Sequence, residues 1–237
     1  MFFDLHIHST FSSGESTLEE IARVAKDFGY KGIGFVSYIL KKEEEDFLIG
    51  EIKRVSSQYN IEIFFGYEAT NKRELDLILK RRNELDLILV SGGELKLNRI
   101  SVETRGVDIL THPDLKRKDC GLNHVSARLA RENEVAIEIN FREVLNAEKL
   151  VRSQVLSNHK DIVKLYKKYK FPLIVTSGAL SHWQIKDPKV LISYLNSLGL
   201  EISEAKKALK DYPRKIIERS KEWKSEKWIM RGVKVVD

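Results

Sequence analysis

Seven short runs of apolar, largely β-branched residues recur along this chain, with longer stretches of helical period between them. These runs are Phe2 to His8, Gly32 to Ile39, Ile61 to Ala69, Leu85 to Ser91, Val107 to His112, Ala136 to Phe141 and Pro172 to Ala179. Leu18 to Phe28, Glu43 to Tyr59, Lys72 to Asn83, Asn123 to Asn133 and Asn146 to Tyr169 carry charged residues on one face and aliphatics on the other, as amphipathic helices do. Runs as continuously apolar as LDLILV and VDILTH call for burial on both faces, which a parallel sheet covered by helices supplies. With seven such units and no linker or composition break, the expected fold is α/β, an irregular TIM-like barrel of about seven parallel strands spanning residues 1–237 as one domain; a doubly wound sheet is the other arrangement. The eighth strand of a regular barrel is missing. After the seventh run the sequence turns helical from Pro188 to Leu198, Ser203 to Asp211 and Pro213 to Trp223, so extra C-terminal helices and a basic helical extension over about 200–237 are expected. Whether the final WIMRGVKVVD forms a strand or an unpaired tail stays open.

Composition narrows the class of protein. The chain has 237 residues, 42% hydrophobic and 32% charged, and no apolar run near the length of a membrane span or a secretion signal, so a cytoplasmic protein without membrane contact is expected. The single cysteine, Cys120, rules out an internal disulfide and a thiolate metal cluster. Of the net charge of +6, five units fall between Ser203 and Asp237, where eleven Lys/Arg face six Asp/Glu. Such a segment is either a solvated amphipathic face or an electrostatic footprint for phosphates.

Several polar residues fall at the carboxyl ends of the expected strands, where barrel sites are built. His6 and His8 stand two apart on the first run and point to one face. Glu68 ends the third run, His112 ends the fifth, and Glu138 and Asn140 lie on the sixth. Imidazoles and a carboxylate converging there suit a divalent metal, zinc or manganese, that polarises a phosphate; hydrogen-bonded structural histidines are the other reading. At the same mouth, the run Lys116, Arg117, Lys118 follows His112, and Arg99, Arg105 and Arg142 are expected on neighbouring segments or their approaches. Such a cationic rim positions a phosphate backbone without reading sequence. A solvated loop, or ion pairs of Arg99 and Arg105 with Glu94, Glu103 or Asp108, would account for the same charges. Ser12, Ser13 and Gly14 are a candidate phosphate cradle, or simply precede a helix capped by Ser16 or Thr17.

The stretch Asp4-Leu5-His6-Ile7-His8-Ser9, then Ser13-Gly14-Glu15, resembles the opening of the polymerase and histidinol phosphatase family of metal-dependent phosphoesterases. That resemblance implies an irregular seven-stranded barrel and metal ligands at His6, His8, Glu68 and His112. Departures follow: the family's Ser-Asp-Gly is Ser12-Ser13-Gly14, its Thr-Asp-His is Val36-Ser37-Tyr38, and its Ser-Asp-Ala-His is Ser177-Gly178-Ala179-Leu180. A multinuclear cluster would lack ligands. With Val90-Ser91-Gly92-Gly93, Asn98-Arg99, Val107-Asp108-Ile109-Leu110, Ser177-Gly178-Ala179 and the Leu198-Gly199 to Glu204-Ala205 segment before Pro213, the chain resembles the p30-type protein subunits of archaeal ribonuclease P over nearly its whole length. That implies a role beside a catalytic RNA that uses magnesium, with a small partner protein subunit, acting on precursor tRNA indirectly. It also implies no catalytic residue and no cofactor in this chain. The residues expected to meet RNA are then Arg99, Arg105, His112, Lys116, Arg117, Lys118 and Arg142. A stand-alone phosphoesterase holding zinc or manganese on His6, His8, Glu68 and His112 is the alternative.

Overall fold

Local signals start the helices where the sequence places capping residues. Thr17 takes the Glu20 N–H on its hydroxyl at 3.2 Å while the Glu20 carboxylate receives the Thr17 N–H at 2.9 Å, a reciprocal cap that opens the first helix. Asn71, Asn123 and Asp187 cap three others with their side chains. The structure, a computed structural model, describes residues 1–225 and the backbone of Trp228–Met230 and Val233–Lys234.

The strands are β1 (Phe2–Ile7), β2 (Tyr30–Ser37), β3 (Glu62–Ala69), β4 (Leu87–Ser91), β5 (Ile109–Thr111), β6 (Ala136–Asn140) and β7 (Leu173–Thr176), paired in parallel in sequence order. Around them run α1 (Leu18–Asp27), α2 (Lys42–Tyr59), α3 (Lys72–Leu79), α4 (Leu95–Glu103), α5 (His124–Glu132), α6 (Phe141–Asn146), α7 (Lys149–Tyr169), α8 (Pro188–Ser197), α9 (Ile202–Leu209) and α10 (Asp211–Trp223). The seven strands curl into a nearly closed TIM-like barrel. No ladder joins β1 to β7; the seam is held by the His8 N–H on the Ala179 carbonyl at 2.9 Å and by the Ser177 N–H on the buried Asp4 carboxylate at 3.1 Å. Burial pushes the Asp4 carboxyl up to about 6, against the opposing hydrogen bonds from Ser177.

Two core layers follow from strand alternation. Ile33, Phe35, Ile88, Val90, Ile137 and Val175 face the helices in the larger cluster. Phe3, Leu5, Phe64, Leu87, Leu89, Ile109, Ala136 and Ile174 fill the barrel interior with Ile216 and Ile217 of α10, which closes the amino-terminal end. Two residues further along the same inward rows the chemistry changes, from Ile109 to Thr111, Ala136 to Glu138 and Ile174 to Thr176. The barrel is thus apolar at its base and polar at its mouth.

Two helices were not expected from periodicity. In α4 the buried face includes Asn98 and Ser101, which interrupt the apolar period. Asn98 is nevertheless a hub: its Oδ1 accepts the Gly93 N–H at 3.0 Å, and its Nδ2 donates to the carbonyls of Pro113 and Gly121 at 2.7 and 2.9 Å. The second is α6, which begins at Phe141 because Asn140 caps it, accepting the Arg142 N–H at 3.1 Å. The C-terminal segment is helical as far as Trp223. Over the expected helical stretch beyond it, β8 (Trp228–Met230) and β9 (Val233–Lys234) pair antiparallel, in keeping with their β-branched and aromatic residues. Residues 226–227, 231–232 and 235–237 of that extension lie outside the described residues. No described helix is long and apolar enough to cross a membrane.

Candidate functional site

At the barrel mouth β1, β3, β5 and β6 bring His6, His8, Glu68, His112 and Glu138 together, all buried. His6 donates from Nδ1 to the Glu138 carboxylate at 2.6 Å, and its Nε2 lies 3.1 Å from His8 Nε2 and 3.9 Å from Glu68 Oε1. Thr111 and Thr176 hydroxyls donate to Glu68 and Glu138, each at 2.5 Å. His112 directly follows β5 with a φ of 47°, in the left-handed region. That turn directs its N–H to Glu138 Oε2 at 3.1 Å, while its Nδ1 lies 2.5 Å from Glu143 Oε1 on α6.

This wiring sets the charges. Burial alone would raise Glu138, but the His6 and His112 imidazoles and the Thr176 hydroxyl hold its carboxyl far below the usual range. Burial also opposes protonation of His112, yet the bond to Glu143 and the charges of Glu138, Glu143 and Glu68 push it up to about 9. His8 goes the other way: burial, then the neighbouring charges of His6, Arg142 and His112, bring it down to about 3. The mouth therefore favours the charged form of the His112 imidazole, whose ring is held by Glu143, and the neutral form of the His8 imidazole.

The chemistry of this donor set bears on a metal. A ligating imidazole commonly gives its second nitrogen to a carboxylate, as His6 gives Nδ1 to Glu138, and the His8 ring is neutral. The nitrogens of His6 and His8 and a Glu68 oxygen are close enough to share one ion. Residues for a multinuclear cluster are absent: Ser13, Ser37, Tyr38, Gly178 and Leu180 stand where the phosphoesterase pattern has acids and histidines. Gly178 has a φ of +61°, and a Cβ there would come within 2.2 Å of the Asn140 side chain, so this position cannot readily carry the missing aspartate.

The expected basic residues divide between locations. Lys116 and Lys118 are exposed on the loop after β5 and make no salt bridge among the described residues. Arg117 between them binds Asp119 through Nε and Nη2 at 2.7 and 2.8 Å and donates to the Gly93 carbonyl at 3.1 Å, so it shapes the loop. Arg142, half-buried, also makes no salt bridge among the described residues, and its charge is felt at His8. Arg99 lies on the outer face of α4, in the expected ion pair with Glu103 at 2.5 Å. Arg105 precedes β5 and so lies at the base of the barrel, not on the rim. The Ser12–Gly14 loop is no free cradle, because the Ser12 and Gly14 N–H groups both go to the Ser9 carbonyl.

The sequence pattern singles out neither Glu143 nor His159 as a site residue. His159 lies on α7 in the buried stripe with Ile162, Val163 and Tyr166, and an imidazole on an apolar stripe was the available signal. Its Nδ1 lies 2.6 Å from the Tyr194 hydroxyl and its Nε2 3.4 Å from Glu143 Oε2. Asp114 is buried beside them, and burial and the charge of Glu143 push its carboxyl up to about 6.

Comparisons with known proteins agree along the chain. The RNase P subunit p30 family matches residues 1–225. Ribonuclease P protein component 3 of Methanococcoides burtonii is 34% identical over all of this chain and 94% of that protein; the one from Methanocaldococcus jannaschii is 35% identical over 76% of this chain and 78% of that protein. A chain from a cryo-EM structure of archaeal ribonuclease P with mature tRNA superposes with a TM-score of 0.83 at 30% identity, covering 99% of this chain and 98% of that one. An Xaa-Pro dipeptidase superposes at 0.59 with 10% identity, a likeness of fold alone. The chain belongs to the RNase P subunit p30 family.

Proposed function

We propose that this chain is the p30-type protein subunit of ribonuclease P, the ribonucleoprotein endonuclease that removes 5′ leaders from precursor tRNA, and that it supports catalysis by the RNA subunit. The observation that carries this reading is the end-to-end match, in sequence and fold, to component 3 and to a chain of an archaeal ribonuclease P complex. The mouth is in keeping with it. Its acids are spent on histidines and threonines, while Lys116, Lys118 and Arg142 present cations without carboxylate partners among the described residues, as phosphate contacts require. Catalysis rests on the RNA and magnesium; this chain holds no catalytic residue. A small partner protein subunit docks on it, precursor tRNA is met through the assembly, and the complex works in the cytoplasm.

Reconstitution of precursor-tRNA 5′ cleavage from RNA and partner protein, with and without this chain, tests the proposal. The expected result is stimulation by the chain within the complex and no cleavage by the chain alone with magnesium, manganese or zinc. Cleavage unaffected by the chain would overturn it. The His6, His8 and Glu68 donors favour one second reading, a phosphoesterase with one zinc or manganese. Under that reading the isolated chain hydrolyses a phosphoester, and His8→Ala abolishes the activity.

A further inference from the structure

Beside the mouth, three elements far apart in sequence bring Asp114, Glu143 and His159 together. Asp114 comes from the loop after β5, Glu143 from α6 and His159 from α7, and one ligand atom from each lies within 4.8 Å of the others. Asp114 is only 4% exposed, yet neither of its carboxylate oxygens has a hydrogen bond. A buried carboxylate without donors is costly, and proteins pair such groups or place them on a metal. His159 is oriented for the second outcome. Its Nδ1 is engaged with the Tyr194 hydroxyl at 2.6 Å, which leaves Nε2 facing Glu143 Oε2 at 3.4 Å and Asp114 Oδ1 at 3.9 Å. The second oxygen of Glu143 is held by His112.

We propose that Asp114, Glu143 and His159 bind one divalent transition-metal ion of the zinc or manganese class, separate from the His6, His8 and Glu68 donors. Metal–ligand bonds of about 2.0–2.2 Å bring such ligands to roughly the spacing already present between His159 and Glu143, so only Asp114 has to close in. One imidazole with two carboxylates selects a borderline ion over magnesium, which prefers oxygen alone. The ion also has a structural consequence. The loop bearing Lys116 and Lys118 is tied to α7 by the Asn158 amide on the Arg117 carbonyl at 3.3 Å and the Gln154 amide on the Lys118 carbonyl at 2.9 Å. A metal bridging Asp114 to His159 adds a third tie at the root of that loop.

The full chain, stripped with a chelator, is titrated with zinc and with manganese in a calorimeter. One equivalent is expected to bind, at least about 10-fold more weakly in Asp114→Asn and in His159→Gln, and unchanged in His8→Ala. Zinc should also shift the His159 ring resonances of the unsubstituted protein while leaving those of His8 in place, a readout that needs no variant to fold. No binding overturns the proposal. Binding that survives Asp114→Asn but is lost with His8→Ala overturns it as well, by placing the ion at the mouth.

Discussion

The two ends of the barrel bury charge in opposite ways. At the base, Asp108 is fully buried and takes the Ile88 N–H at 2.9 Å, Arg82 at 3.1 Å and Arg219 of α10 at 2.9 Å. Both guanidiniums lie over the Trp223 ring, at 4.1 and 5.2 Å from its centroid. Each charge there has a fixed partner, and Ile216 and Ile217 seal what lies above. At the mouth the buried acids meet histidines instead, and cations without carboxylate partners stand around them. One carboxylate between two arginines makes a lock that binds the last helix to the barrel. Several carboxylates among imidazoles make a buried cluster in which each group sets the charge of the next. The base is accordingly built for stability, and it is to the mouth that the proposed function assigns recognition, though both are ends of the same strands.

Breaking the lock has the largest expected effect. Asp108→Ala leaves two arginines mostly buried without their anion, and should cost about 3–5 kcal/mol, read as a lower denaturation midpoint at unchanged slope. A loss below about 1 kcal/mol would mean that the base is not held by charge. Ile217→Ala, which opens a void under the barrel floor, should cost about 2–4 kcal/mol in the same measurement.

A smaller, pH-dependent contribution sits on the mouth side, where α2 begins. Glu45 is buried between Arg81, whose Nη1 and Nη2 donate to it at 2.8 and 2.7 Å, and the Tyr67 hydroxyl of β3. The Arg81 hydrogen bonds, working against burial and helped by Tyr67, bring its carboxyl down to about 2, while burial, then the hydrogen bond to Glu45 and its charge, push the Tyr67 hydroxyl up to about 12. Because the folded value lies below the unfolded one, the stabilisation is fully present above pH 4.5 and is lost as pH falls towards 2. The native protein should exceed Glu45→Gln by about 2 kcal/mol at pH 7, with the gap shrinking at pH 3. A pH-independent gap would assign the contact to packing.

The strands were legible because a buried parallel sheet forces continuous apolar runs, and the convergence of His6, His8, Glu68 and His112 was legible because polar residues at strand ends share one barrel end. Arg105 shows a misreading that the strand boundary itself corrects: a residue just before β5 belongs to the base. The α4 helix was hidden because Asn98 serves loop hydrogen bonds and Ser101 bonds back to the Leu97 carbonyl, both from a face that periodicity expects to be apolar. Asp114, Glu143 and His159 could not be joined from sequence, since a loop and two helices supply one residue each and no spacing rule links them.

The smallest effect on stability gives the sharpest test of the contrast between the two ends. Lys116 and Lys118 are exposed and unpaired among the described residues, so Lys116→Ala with Lys118→Ala should change the unfolding free energy by no more than about 0.5 kcal/mol. Affinity for the RNA subunit should nevertheless fall. The slope of log affinity against log salt should flatten by roughly one for each lost phosphate contact, since each contact displaces condensed counterions. Arg105→Ala removes a cation of the same kind from the other end of the barrel, and there both the affinity and the slope should stay unchanged. Equal losses from the two ends would reduce the cations to a diffuse field of the whole chain. A loss confined to the loop makes the mouth the RNA-facing end and leaves the base to its structural role.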